Sequence, residues 1–330
     1  MITNRLSDEA VGVAEVLRDQ LRQAGGVDLL RGAVAEPERR ADAERILGGI
    51  GAWELNPLSD GVELEAAAMI SQVAGEVGLP YPVAERLGHA EGAAATALVS
   101  ATDNRHIASH ADLDLAWSAV DFRGHAYDVV ARSGELLGTK LGPFASEFTV
   151  QRRAERLPRT AALVTTLQGW WLLGLLKKSL TDTARYTRER EQFGRALRGF
   201  QSVAFGLADM AVALDGLEEL AKYALWSIRE DGDGETALTD ALSLRVAALE
   251  AAQVVLRGAH QYHGAMGFTD EVDVSWLSRA SQSFRRLPEG ESATQELLAA
   301  RMSQYGFAAI FAETRTPDDA NGEDRRAERG

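Results

Sequence analysis

The chain has 330 residues, enough for two or three structural units around a substantial core. Its 35 Lys and Arg stand against 49 Asp and Glu, a formal charge of −14, which argues against a nucleic-acid partner, since that would need a basic face. Cys is absent, which removes disulfides, zinc–thiolate sites and thiol nucleophiles together and fits a reducing cytoplasm. The N-terminus runs into a charged amphipathic helix without an apolar signal core. From Ser7 to about Ser100 apolar residues recur at helical spacing, as at Val13, Leu17 and Leu21. Ser7 suits an N-cap, with acids at positions 8 and 9 on the positive end of the helix. Asn56-Pro57 and Leu79-Pro80-Tyr81-Pro82 break the pattern. This predicts a helical N-terminal domain over residues 1–111. The spacing of His106 and His110 would set two imidazoles on one helix face. Only Asp112 and Asp114 lie near as further ligands, so packing or surface roles are expected and no metal.

Residues 112–155 change character. β-branched and aromatic residues come in short runs punctuated by Gly124, Gly134, Gly138 and Gly142-Pro143, which predicts roughly four short strands and a reduced β-domain. Residues 156–311 return to long helical elements. They are predicted near 160–190, from 200 with Val203, Leu207, Met210, Leu214, Leu217 and Leu220 on one face, over 236–263 and over 292–307, joined by short turns into a four-helix bundle. Trp170-Trp171 reads as core or subunit interface. The longest apolar stretch, around 167–176, is interrupted by Gln168 and Gly169 and ends at Lys177-Lys178. That is too short for a bilayer, so no membrane partner is expected. The tail, 312–330, is charged without an apolar face and is predicted to be disordered. The fold class expected is mainly α.

Two segments carry the chemistry. Arg190-Glu-Gln-Phe193-Gly194, followed by Leu197 and Phe200-Gln201, closes a long helix with cations and an aromatic ring. A forked guanidinium can hold a pyrophosphate and a ring can lie on a purine face. The same pattern, taken alone, is also ordinary C-terminal helix chemistry. Gln261-Tyr-His263-Gly264-Ala265-Met-Gly267-Phe268 ends a later helix with glycines three apart, which let backbone N–H groups approach a ligand.

Together these motifs resemble the acyl-CoA dehydrogenase family, flavoenzymes that desaturate acyl-CoA thioesters. The order helical domain, small β-domain, four-helix bundle is the family's order. Its Arg-x-x-Phe-Gly motif and its Gln-x-x-Gly-Gly-x-Gly-Phe loop are matched by Arg190–Gly194 and by Gln261–Phe268. Leu207-Ala-Asp-Met210 and Gly75-Glu-Val-Gly-Leu-Pro80-Tyr-Pro82 add support. The resemblance implies FAD as cofactor, with its adenine and pyrophosphate half on these residues and most of the flavin on a neighbouring subunit. Arg190 would contact the pyrophosphate and Phe193 the adenosine end. Gln261, Gly264 and Ala265 would line the adjoining wall, and Leu197, Phe200 and Gln201 would complete it.

The chain departs from the family elsewhere. Desaturation requires a carboxylate to take the α-proton while hydride leaves the β-carbon. At the two positions where the family keeps that base, this chain has Pro288 and about Val164. The catalytic residue is therefore unassigned, with Glu289 as a candidate one residue away. The Gly-Ser-Asp loop and Lys-x-Trp-Ile-Thr strand that hold the isoalloxazine have no match between 102 and 150. This combination resembles the short subunits of heteromeric bacterial sterol side-chain acyl-CoA dehydrogenases. It implies an acyl-CoA substrate, a second dehydrogenase-like subunit in an α2β2 assembly, and an electron-transfer flavoprotein or similar acceptor. The alternatives are a self-sufficient homo-oligomer using Glu289, or a flavin-free scaffold or regulatory paralogue.

Overall fold

The computed structural model describes residues 5–101, 105–138 and 140–305; the tail at 312–330 lies outside the described residues. Five helices open the chain: α1 (Asp8–Gln23), α2 (Asp28–Ala35), α3 (Arg40–Gly49), α4 (Gly61–Glu76) and α5 (Val83–Leu87). The α1 helix begins where Ser7 Oγ accepts the Ala10 N–H at 3.4 Å. It buries the stripe Ala10, Ala14, Leu17 and Leu21 against α4.

A five-stranded sheet follows: β1 (Ala95–Val99), β2 (Arg105–Ser109), β3 (Trp117–Asp121), β4 (His125–Leu136) and β5 (Ala145–Arg156), in spatial order β1-β3-β4-β5-β2. β1 and β3 run parallel, with Ala95 opposite Trp117, and the remaining pairs are antiparallel. Two strands thus precede residue 112, which corrects the reading of residues 1–111 as helical throughout. The physical reason is burial on both sides. Ala95-Thr-Ala-Leu-Val99 is buried at every position, so it shows no alternation, and its alanines imitate a helix. His106 belongs to β2 and not to a helix. Its ring packs on Phe148 at 5.8 Å, and His110 stacks on Phe144 at 4.8 Å. Among the described residues no group of acidic and imidazole side chains is arranged to hold a metal.

The C-terminal part is built on α6 (Pro158–Glu189), α7 (Gln201–Glu230), α8 (Glu235–His263) and α11 (Glu291–Tyr305). Two-residue strands β6 (Glu191–Gln192) and β7 (Arg195–Ala196) link α6 to α7. The link from α8 to α11 is not the short turn expected, because α9 (Asp273–Ala280) and α10 (Gln282–Arg286) intervene. α9 buries Val274 and Leu277, a pair too short to register as a periodic stripe. Helix α6 is the spine. Trp170 and Trp171 are both buried in the core. α4 crosses α6 with backbones in near contact: a Cβ at Gly174 would stand 1.8 Å from the Gln72 carbonyl oxygen, and one at Gly75 1.9 Å from that of Trp171. This crossing fixes the N-terminal helices on the bundle. Among the described residues no helix is long and apolar enough to cross a membrane.

Candidate functional site

The two motifs meet at one end of the bundle. α6 and α8 lie side by side in the same direction, with Leu244 against Gly169 near their middles and Tyr186 stacked on His263 at 4.4 Å near their ends. His263 is buried, and its Nδ1 lies 2.9 Å from the Ala259 carbonyl, so it shapes the end of α8. The start of α7 joins them, since the Tyr262 hydroxyl packs against Gly206, 1.7 Å from where a Cβ would stand.

Arg190 follows α6 with its N–H donating to the Tyr186 carbonyl at 2.8 Å, and the Leu197 N–H donates to the Arg190 carbonyl at 2.8 Å. These bonds frame a hairpin whose turn is Phe193-Gly194, both at positive φ (54° and 78°), the geometry of a type I′ turn. A phenylalanine in that region is uncommon, and here the turn throws its ring outward until it is 90% exposed. Phe193 meets Phe200 edge-on at 6.2 Å, and the Arg195 guanidinium lies over the Phe200 ring at 3.9 Å. Among the described residues the Arg190 guanidinium has no carboxylate partner, whereas Arg185 and Arg188 face Asp182 and Glu189 at 3.1 and 3.9 Å. Gln201 is exposed as the first residue of a 30-residue helix, whose free N–H groups and dipole favour an anion. Gln261, Gly264 and Ala265 are exposed beside them, with Gly264 at φ 59° and open space where a side chain would be. Phe268 is 76% exposed and stacks on His260 at 5.0 Å. Burial, with the charge of His263 and Arg285, holds the His260 imidazole below its ordinary value.

The eight residues read from the sequence, Arg190, Phe193, Leu197, Phe200, Gln201, Gln261, Gly264 and Ala265, thus all lie on the three helix ends that converge at this tip. Arg195 is an addition; its signal was a cation immediately after the motif. The arrangement offers a guanidinium without a carboxylate partner among the described residues, a helix N-terminus and exposed rings. Those are the elements that hold a pyrophosphate and a flat base.

Glu289 stands elsewhere, after α10. Its Oε1 accepts from Ser100 at 3.2 Å, and its carbonyl accepts from the buried Arg245 at 2.9 Å. The same guanidinium donates to the carbonyls of Phe284 at 3.1 Å and Leu287 at 2.8 Å, so it ties this segment to α8.

Residues 166–303 match the family described as acyl-CoA dehydrogenase, C-terminal domain. Acyl-CoA dehydrogenase FadE28 of Mycobacterium tuberculosis is 32% identical over 145 residues, which are 44% of this chain and 42% of that protein. The similar stretch thus spans less than half the length of that relative. In fold, the ChsE4-ChsE5 complex from Mycobacterium tuberculosis superposes at a TM-score of 0.73 and 16% identity, covering 92% of this chain and 99% of that one. A steroid acyl-CoA dehydrogenase, the Tcur3481-Tcur3483 G363A variant, superposes at 0.68 and 19% identity, covering 90% and 98%. The C-terminal helical region of this chain is an acyl-CoA dehydrogenase C-terminal domain, and the chain as a whole has the acyl-CoA dehydrogenase fold.

Proposed function

We propose that this chain is a subunit of an FAD-dependent acyl-CoA dehydrogenase that desaturates an acyl-CoA thioester of the sterol side-chain class within an α2β2 assembly. It supplies the adenine and pyrophosphate half of a shared flavin site, and a second dehydrogenase-like subunit supplies the isoalloxazine pocket and the catalytic base. The observation that carries this reading is the exposed tip: an Arg190 without a carboxylate partner among the described residues, a Phe193 ring 90% exposed and the open wall at Gly264 suit a ligand that another chain covers. The residues fit the cofactor. Arg190 would hold the pyrophosphate with help from the α7 N-terminus, Phe193 and Phe200 would flank the adenosine, and Gln261 would pair with a polar edge. When bound, FAD supplies the two-electron oxidation that desaturation requires, and an electron-transfer flavoprotein or similar acceptor would reoxidise it. The heteromeric ChsE4-ChsE5 complex and the Tcur3481-Tcur3483 steroid dehydrogenase, both of this fold, support the unlike partner and the sterol substrate class.

The test is flavin absorbance of the purified chain, alone and after co-expression with its dehydrogenase-like partner. Flavin held only with the partner, and lost on Arg190→Ala, supports the shared site. Stoichiometric flavin on the lone chain would point to the self-sufficient alternative and return Glu289 to consideration as base. Flavin content of the complex that ignores Arg190→Ala would point to a scaffold.

A further inference from the structure

On the α10 side of the tip stands a second group of cations, Arg285 and Arg286, the last two residues of α10. Among the described residues neither has a carboxylate partner, although the chain carries a formal charge of −14. By contrast Arg279 on α9 pairs with Asp270, and Arg31 with Asp273 at 2.7 Å. The carbonyls of Phe284 and Leu287 around the end of α10 are taken by the guanidinium of Arg245, a third cation, at 3.1 and 2.8 Å. A helix of five residues also has little dipole to favour cations at its end. Arg286 is exposed and Arg285 is partly buried. Burial and the Arg286 charge pull the Arg285 guanidinium below its ordinary value. Adjacent cations, one of them partly desolvated and neither offset, destabilise the bare chain and favour a bound anion. Arg285 also lies close enough to His260 to act on its imidazole. On that imidazole stacks Phe268, at 5.0 Å and with its ring 76% exposed.

We propose that Arg285 and Arg286 form a phosphate subsite, separate from Arg190, for a nucleotide whose base lies on the exposed face of Phe268. A phosphate dianion has several oxygens and takes both guanidinium forks, whereas a carboxylate carries one charge and is filled by one fork. The Phe268 ring supplies the flat apolar face that a purine needs. His260 precedes His263 by three residues, about 4.5 Å along α8 at 1.5 Å per residue, so the subsite flanks the tip while using none of its cations. Two ligands carry this chemistry, the flavin dinucleotide and the coenzyme A part of an acyl thioester. The inference rests on the flavin reading for that choice of ligands alone.

The test is calorimetric titration of the full chain with adenosine 3′,5′-bisphosphate. Binding should be saturable, and adenosine, which lacks the phosphates, should bind at least about tenfold more weakly. The double variant Arg285→Gln, Arg286→Gln should lose at least about tenfold in affinity for the bisphosphate, and Arg190→Ala should leave it unchanged. If the double variant fails to fold, Arg286→Glu, at an exposed position, should give the same loss. FAD that displaces the bisphosphate identifies the flavin as the source of the phosphate, and FAD that binds beside it identifies coenzyme A; both support the subsite. Absence of saturable binding, equal affinity for adenosine and its bisphosphate, or full affinity in Arg286→Glu would overturn the proposal. So would a loss on Arg190→Ala as large as in the double variant, since the phosphate would then lie on the tip. A chain that binds the bisphosphate yet takes up no flavin with its partner would sink the flavin reading and leave the subsite standing.

Discussion

Glu85 and Arg190 show how differently two charged residues are used in one chain. Arg190 stands in solvent, where a guanidinium costs little and is free for a ligand. Glu85 is sealed between the sheet and α6, where its charge is opposed by burial and relieved in part by the Gln168 amide and its own backbone N–H. Its carboxyl is raised from an ordinary 4.5 to about 7. The folded chain therefore binds a proton more tightly than the unfolded chain, and the stability this contributes is full below about 4.5 and is lost as pH rises through about 7. The loss amounts to about 3 kcal/mol. Glu85→Gln, which cannot ionise, should match the parent in urea denaturation at pH 4.5 and exceed it by about that amount at pH 8. Equal midpoints for the two proteins at pH 8 would show that Glu85 is hydrated.

At the scale of elements, the decisive contact is the crossing of α4 and α6. Gly75 and Gly174 let each helix set its backbone against a carbonyl of the other, so that the N-terminal helices and the bundle share one core. A methyl group at position 174 would have to displace the Gln72 carbonyl, and α4 is too enclosed to retreat. Gly174→Ala should cost about 3 kcal/mol, a fall of roughly 4 °C in melting temperature by calorimetry. A fall under about 1 °C would mean that the crossing is plastic. The hairpin after α6 works in the opposite way. Almost nothing packs on Phe193, so changes there should alter ligand binding and leave folding alone.

For the whole molecule the question is what covers the exposed apolar surface of the bundle. Phe205 and Val212 are seven residues apart on α7 and 60% and 70% exposed, and Val254 on neighbouring α8 is 44% exposed. A surface groove of about 410 Å³ runs between these helices past Gln261. Such surface is costly in water, and it adjoins the tip where the proposed flavin site needs a second chain. The double variant Phe205→Asp, Val212→Asp should leave the melting temperature of the lone chain within about 1 °C, since neither side chain is in the core. It should also abolish co-elution with the partner subunit in size-exclusion chromatography. Undisturbed co-elution would place the subunit contact on another face.

Much of this was legible in the sequence because it is local. The capping Ser7, the long apolar stripes of α6 to α8, and the Arg190 and Gln261 motifs depend on neighbours within a few turns, and a family resemblance built on them led to the right fold. What was not legible depends on contacts between distant segments. The strand at Ala95–Val99 is a strand because β3 pairs with it, and its uniform burial erases the alternation that would announce it. Glu85 occurs in a run that reads as an ordinary amphipathic turn, and its unusual character arises from Gln168, 83 residues later. The sequence alone determined which cations, rings and glycines stand at the helix ends, and hence the proposal of an anionic ring-bearing ligand, because residue type and spacing are local. Only the tertiary structure decided that the three helix ends meet and that one carboxyl is buried, because dielectric and proximity are properties of the packed chain.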